Sequence, residues 1–527
     1  MTVLKPGELE KIRELLEALA VWTRKLPMAQ VALRMGVVIL AASLAFLASC
    51  AWRSSQQIVK SWERPAECQQ FLIRLDETVS EAGVRNGENF SIPGFPYLRA
   101  NRFISALRDS IEDDAGREQW VRWMQELDLQ GRKAEIQNLP EAAVRSLGFG
   151  PGGNPDRERL YSQARLCSAE LLRSDQEKKD FYPALQTSVK IPDEYSTFLR
   201  VAGLYPLTAI PVYWLTLRYQ KKIKSWYETK LEDLPVDGRL KVYVPEKKIS
   251  RDRDQLLRQM EESRQNPLKV PLLEADPVKD LAWLLAPIII QDEAASYDQI
   301  GQVTWKGECP EVDARNPTIY YYVSYAFLQE EPILQVNYVI WFPARAGPNP
   351  PAIELGLLDG LTIRLSLDPG GEIFMVDVMN NCGCYHLFAP DRERVGQTLS
   401  RPGRLDPFVP QWLPRIGSQE RLAIRLNSGW HQVQRLLAGP EPIRAVPYQL
   451  VPYDVLETLA REGGRGSSIF DSHGIAKCSE RVEPYLLFPM GIPRVGYMRQ
   501  RGHHAIEFIG RAHFDDPDLF NQNFIFE

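Results

Sequence analysis

Between residues 61 and 184, apolar positions recur at every third or fourth residue, the period of helices with one buried face. The stretch CQQFLIRLDETVSEAG sets Phe71, Leu72, Leu75 and Val79 on one stripe. Trp120, Trp123, Met124, Leu127 and Leu129 mark a second stripe, and Leu160, Ala164, Cys167 and Leu171 a third. Pro93 and Pro96 interrupt the pattern between helices. Residues 53–199 therefore read as an α-helical domain. After residue 241 the period changes to two. TIYYYVSYAFL and PILQVNYVIWF form one hairpin, and LTIRLSLD and EIFMVDV form another around Pro-Gly-Gly. Leu361, Ile363, Leu365 and Leu367 alternate with Thr362, Arg364 and Ser366, the pattern of a half-buried antiparallel strand. RLAIRL and HQVQRLL add further strands, and PYDVLETLAR reads as an inserted helix. The fold class expected is α+β: a membrane anchor, a helical domain, then a mainly antiparallel β-rich domain over 241–527.

Two apolar runs stand outside these patterns. Residues 35–52 carry no charge over 18 positions, and as a helix they reach about 27 Å, enough for a bilayer core. Arg24, Lys25 and Arg34 precede the run and keep residues 1–34 in the cytoplasm. Those 34 residues form an amphipathic extension with Leu9, Ile12, Leu16 and Leu19 on one stripe, or a long n-region of a signal. The run ends in LASC, the small-residue pattern ahead of a lipidated cysteine, here Cys50. A lipidated, cleaved form and an uncleaved anchor both stay open, and both put the following chain on the periplasmic side. The second run, Val201 to Leu217 within the connecting segment 200–240, is followed by Arg218, Lys221, Lys222 and Lys224. Pro206 and Pro211 interrupt it, which favours a buried or membrane-surface segment over a second span.

CQQFLIRLDETVSEAGV, IPGFPYLR, GLYPLT, CGCYH and HFDDP, spread from residue 68 to 517, together resemble an uncharacterised group of proteobacterial envelope lipoproteins. The resemblance implies an envelope location and carries no activity.

Composition narrows the picture modestly. A net charge of -5 gives no basic field for nucleic acid. With Cys50 set aside, six of the seven cysteines remain, an even number in an oxidising compartment. Cys68 and Cys167 lie on apolar helix faces within one domain, and a disulfide between them is expected. No dinucleotide fingerprint or Walker-type loop is present.

All six histidines lie between His386 and His513, which concentrates acid–base and metal-binding capacity in the C-terminal domain. In NNCGCYHLF, continuation of the preceding strand would put Cys382, Cys384 and His386 on one inward face, three potential ligands for a transition metal such as zinc. His503 or His504 would complete the coordination, then His513 or Cys478. Long-range disulfides to Cys309 or Cys478, and free buried thiols, are the competing readings. If the Asn380-Asn381 pair turns the chain instead, the shared face is lost. In RQRGHHAIEFIGRAHFDDP, His503, Glu507, His513 and Asp515 are candidate catalytic groups, against a polar edge strand. GGRGSSIFDSHG, with Ser467, Ser468, Asp471 and His473, reads as a loop without the setting of a nucleophile elbow. Two functions follow: a membrane-anchored envelope protein that binds, with membrane and protein partners, or a metal-dependent periplasmic enzyme using the Cys/His region.

Overall fold

Helical periodicity in the first third becomes three long helices, α1 (Ala66–Glu81), α2 (Asp114–Asn138) and α3 (Arg157–Gln176). They belong to a computed structural model that describes residues 62–149, 156–246 and 251–527; the anchor 35–52 and Cys50 lie outside the described residues. Asp113 and Asp156 cap α2 and α3 by accepting from Gly116 N and Arg159 N. The predicted pair forms: Cys68 on α1 is bonded to Cys167 on α3, with Cα atoms 4.8 Å apart. Pro93 and Pro96 sit in a β-hairpin rather than an interhelical break, because Gly94 takes φ +89° between β1 (Phe90–Ile92) and β2 (Phe95–Ala100). Buried charge fixes this hairpin on α2. Arg99 of β2 meets Asp128 and Glu135, while Arg132 meets Asp128, Asp76 and the Pro96 carbonyl.

Next come α4 (Thr197–Ala202) and α5 (Tyr205–Glu228), then β3 (Arg239–Pro245), α6 (Arg253–Ser263), α7 (Ala275–Leu285) and β4 (Ile288–Glu293). A side hairpin, β5 (Gln302–Lys306) and β6 (Cys309–Asp313), is tied by a Cys309–Cys478 disulfide. The meander β7 (Thr318–Leu328), β8 (Glu331–Arg345), β9 (Gly356–Leu367), β10 (Ile373–Asn380) and β11 (Leu387–Pro390) follows. A short β12 (Val395–Thr398) pairs with the C-terminal strand Phe524–Phe526. The strands β13 (Arg421–Leu426), β14 (Val433–Gly439) and β15 (Val446–Pro452) complete the large sheet, and Leu459–Ala460 pairs with Gly466–Ser467 outside it.

One mixed, curled sheet of ten strands results, in the order β11-β10-β9-β8-β7-β15-β3-β4-β13-β14. The β7–β11 part is antiparallel; β15 joins it to the rest through parallel pairings with β7 and β3, and β13 pairs parallel with β4. Residues 453–457 form a single 3-10 turn instead of the inserted helix expected for PYDVLETLAR. On one face, Leu361, Ile363 and Leu365 pack against Leu256 and Met260 of α6 and Leu281 and Trp283 of α7.

The other face corrects the half-exposed strand. Thr362, Arg364 and Ser366 are buried too. The C-terminal segment covers Arg364, which donates to the Phe514 carbonyl and lies 3.6 Å from the Phe514 ring centroid, while Thr362 donates to Asn381 and Ser366 accepts from Gln335. The Arg364 charge is answered by Asp377 on β10 at 2.6 Å. Buried bonds also link the helical and β regions. Asn86 donates to Glu457, and Asn138 donates to the Glu457 carbonyl. Arg64–Lys179 and Val189–Glu527 form one unit, with the helix Phe181–Ser188 outside it. Among the described residues, no helix is long and apolar enough to cross a membrane, and this holds for the run 201–217.

A candidate site between a two-faced helix and a cysteine turn

The strand β10 stops at Asn380, and the next residues turn. Asn380 N donates to the Cys384 carbonyl at 3.0 Å, and Gly383 N donates to the Asn380 carbonyl at 2.7 Å. Asn381 locks the turn onto the sheet, accepting from Thr362 Oγ1 and donating to the Ile340 carbonyl. Gly383 takes φ +90°, and a Cβ there would lie 2.3 Å from the Ala505 carbonyl oxygen. Only glycine allows that conformation and that approach. The turn therefore breaks the strand parity on which the metal reading rested.

The predicted ligands separate accordingly. His386 Nε2 is 2.8 Å from Asp377 Oδ2, the carboxylate that also holds Arg364. His503 places Nδ1 2.8 Å from Glu194 Oε1 and Nε2 2.6 Å from the Gly87 carbonyl. His504 is buried among Phe514 and its neighbours, and burial pushes its imidazole down to about 3, leaving it neutral. Cys478 is spent in the bond to Cys309. Among the described residues, no group of three or more His, Cys, Asp or Glu is placed to hold a metal, so the zinc-type site at Cys382, Cys384, His386, His503 and His504 is corrected.

The catalytic candidates also have structural partners. Glu507 takes Arg404 in a two-pronged pair, His513 lies 3.2 Å from Asp193 and 3.3 Å from Asp516, and Asp515 accepts from Gly502 N. Asp471 caps its own loop through His473 N and Ile475 N.

What the turn does form is the wall of a cavity of about 170 Å³. Its opposite wall is α5, through Val212, Leu215, Thr216, Tyr219 and Ile223. Phe408, Ile492, Val495 and Phe508 make the lining largely apolar. Both cysteines line the cavity, Cys384 partly exposed and Cys382 buried. The neighbouring Cys384 thiol, with the Arg345 charge and the Cys384 backbone N–H, holds the Cys382 thiol below its ordinary range, whereas pairing with Cys382 and burial push Cys384 up.

Two carboxyls that sequence gave no sign of share this wall. Glu354 accepts from Arg345 at 2.6 Å, from Trp430 Nε1 at 3.1 Å, and from the Tyr385 hydroxyl. Glu483, on the short helix α8 (Glu483–Leu487), is raised to about 8 by burial, with Cys382 and Glu354 adding to the effect. It is therefore uncharged at neutral pH. Glycine at 496 makes room for it, since a Cβ there would fall 1.7 Å from Glu483 Oε2. Neither carboxyl sits in a periodic pattern or a spaced motif, so no signal in the sequence could have paired them. Tyr219, Trp226 and Tyr385 pack edge-on around Trp430 and join α5 to the turn.

The outer face of α5 is the second feature. At about 100° per residue, Leu207, Ile210, Trp214, Arg218 and Lys221 fall on one side, opposite Val212, Thr216, Tyr219 and Ile223. Leu207 is 66% exposed and Trp214 65%. Phe198 and Val201 of α4 extend the apolar stripe. Tyr485 and Leu486 of α8 are exposed as well, and α4, α5 and α8 all pack on the turn Phe488–Met490. The uncharged run 201–217 is thus apolar on both sides, one facing the cavity and one facing out. Comparison with protein-family models, curated proteins and solved structures finds no match to this chain.

Proposed function

We propose that the protein is a membrane-anchored component of the cell envelope, with its bulk on the periplasmic side, that works by binding and rests α4, α5 and α8 on a lipid surface. The observation that carries this reading is the outer stripe of α4 and α5. Contiguous exposed apolar surface marks an interaction site, and a stripe that passes from large apolar residues through Trp214 into Arg218 and Lys221 has the order of an interfacial helix. The apolar part would lie among acyl chains, the indole at the headgroup level, and the cations against anionic phosphates. The anchor read at 35–52, or lipidation at Cys50, would hold this face near the bilayer. Two disulfides among the described cysteines support an oxidising compartment.

The test is fluorescence quenching of the full chain reconstituted into phosphatidylcholine–phosphatidylglycerol vesicles containing brominated acyl chains. Quenching should fall in the Trp214→Phe variant, because a quenched indole has been removed. Equal quenching in variant and wild type overturns lipid docking and assigns the stripe to a protein partner.

A further inference from the structure

We propose that Cys382 and Cys384 form a reversible dithiol–disulfide couple that exchanges with a thiol reagent or protein disulfide entering through the cavity. Three observations carry it. Cys68, Cys167, Cys309 and Cys478 are all disulfide-bonded, yet the two closest in sequence are free. Those two thiols lie one residue apart in a turn closed by two backbone hydrogen bonds. The two differ in exposure: both line the cavity, but Cys384 is part-exposed and Cys382 is 3% exposed.

A pair of inert buried thiols explains the apolar packing of Cys382 but not this asymmetry. Reactive dithiols present one sulfur to the incoming disulfide and keep a second behind it to resolve the adduct. The polar surroundings of Cys382 suit the thiolate that must resolve the adduct. The Cys384 backbone N–H and the Arg345 guanidinium favour negative charge, and Glu483 beside it is held uncharged by burial. Tyr385 adds a constraint at the end of the turn. It sits at φ +57°, a conformation disfavoured for a residue with a side chain, and its hydroxyl is anchored on Glu354.

The exchange balances as follows. Cys384 first loses its proton to solvent. The Cys384 thiolate attacks a disulfide RS–SR, forming a Cys384–SR bond and releasing RS⁻, which takes up the proton the pair has lost. Cys382, losing its own proton, then attacks the Cys384 sulfur, closes the Cys382–Cys384 bond and expels the second RS⁻, which takes that proton. Two thiols are oxidised, and one disulfide is reduced to two RSH. The reverse sequence regenerates the dithiol at the expense of an incoming dithiol.

The experiment equilibrates the full chain with glutathione buffers of graded ratio, quenches with acid, and alkylates under denaturing conditions. Cleavage after arginine releases residues 365–392, which contain these two cysteines and no other. The expected result is one two-electron transition from a doubly alkylated peptide to an unalkylated one lighter by two hydrogens. In Cys382→Ser, which leaves no resolving thiol, a glutathione adduct should accumulate on Cys384. In Cys384→Ser, Cys382 should stay unmodified. A peptide doubly alkylated at every ratio overturns the couple, as does accumulation of two independent adducts. An adduct on Cys382 in preference to Cys384 overturns the assigned order.

Discussion

Replacing Glu483 by glutamine isolates the cost of a buried carboxyl, and its size follows from the structure. Burial lifts this group from 4.5 to about 8 in the folded chain. The fold therefore holds a proton that the unfolded chain releases. Between pH 4.5 and about 8 the folded state binds more protons, so stability falls as pH rises through that window and levels off above it. At 1.36 kcal/mol per pH unit, the loss reaches about 3 kcal/mol at pH 7 and about 5 kcal/mol above pH 8. Glu483 is 4% exposed, so solvent screens little of this. Glutamine keeps the shape and does not titrate. Relative to Glu483→Gln, the wild-type chain should be equally stable near pH 4 and fall progressively behind towards pH 8. Urea unfolding of both proteins at half-unit pH intervals gives the difference directly. Parallel pH profiles would refute the reasoning, because they would mean that Glu483 ionises freely in the fold.

The other predictions concern what holds the fold together. Breaking the α1–α3 link in a Cys68→Ala/Cys167→Ala variant should cost about 4–5 kcal/mol for a loop with a sequence separation of 99, measured by urea unfolding; no change would mean the link closes no entropy in the unfolded chain. Arg364→Met strands Asp377 beside His386 and should destabilise by about 3–5 kcal/mol, while Arg364→Met with Asp377→Leu should recover most of the loss in the same assay. If the double variant is as unstable as the single one, lost packing over Phe514 and not stranded charge is the cause.

The sequence by itself determined the helices α1, α2 and α3, the hairpins of the meander and the pairing of Cys68 with Cys167. Each depends on a local period or on a small choice among cysteines. Leu72, Leu75 and Val79 need only one partner surface to be buried, whichever surface it is. The tertiary structure decided everything that turns on a second surface. Arg364 alternates with leucines as an exposed residue would, yet it is buried because residues 510–520 return across the sheet from far along the chain. The Cys-x-Cys-x-His spacing gives a shared face only on a continued strand. The close contact of Gly383 with the Ala505 backbone made a turn instead, so the thiols stayed together while His386 went to Asp377. The run 201–217 was legible as apolar but not as two-faced: helical phase assigns Val212 and Trp214 to opposite sides, and only the packing of α5 over the cavity shows which side is left uncovered. Glu354 and Glu483 lie more than a hundred residues apart, and no local physics links them; they meet at one wall because the sheet and the C-terminal segment bring them there.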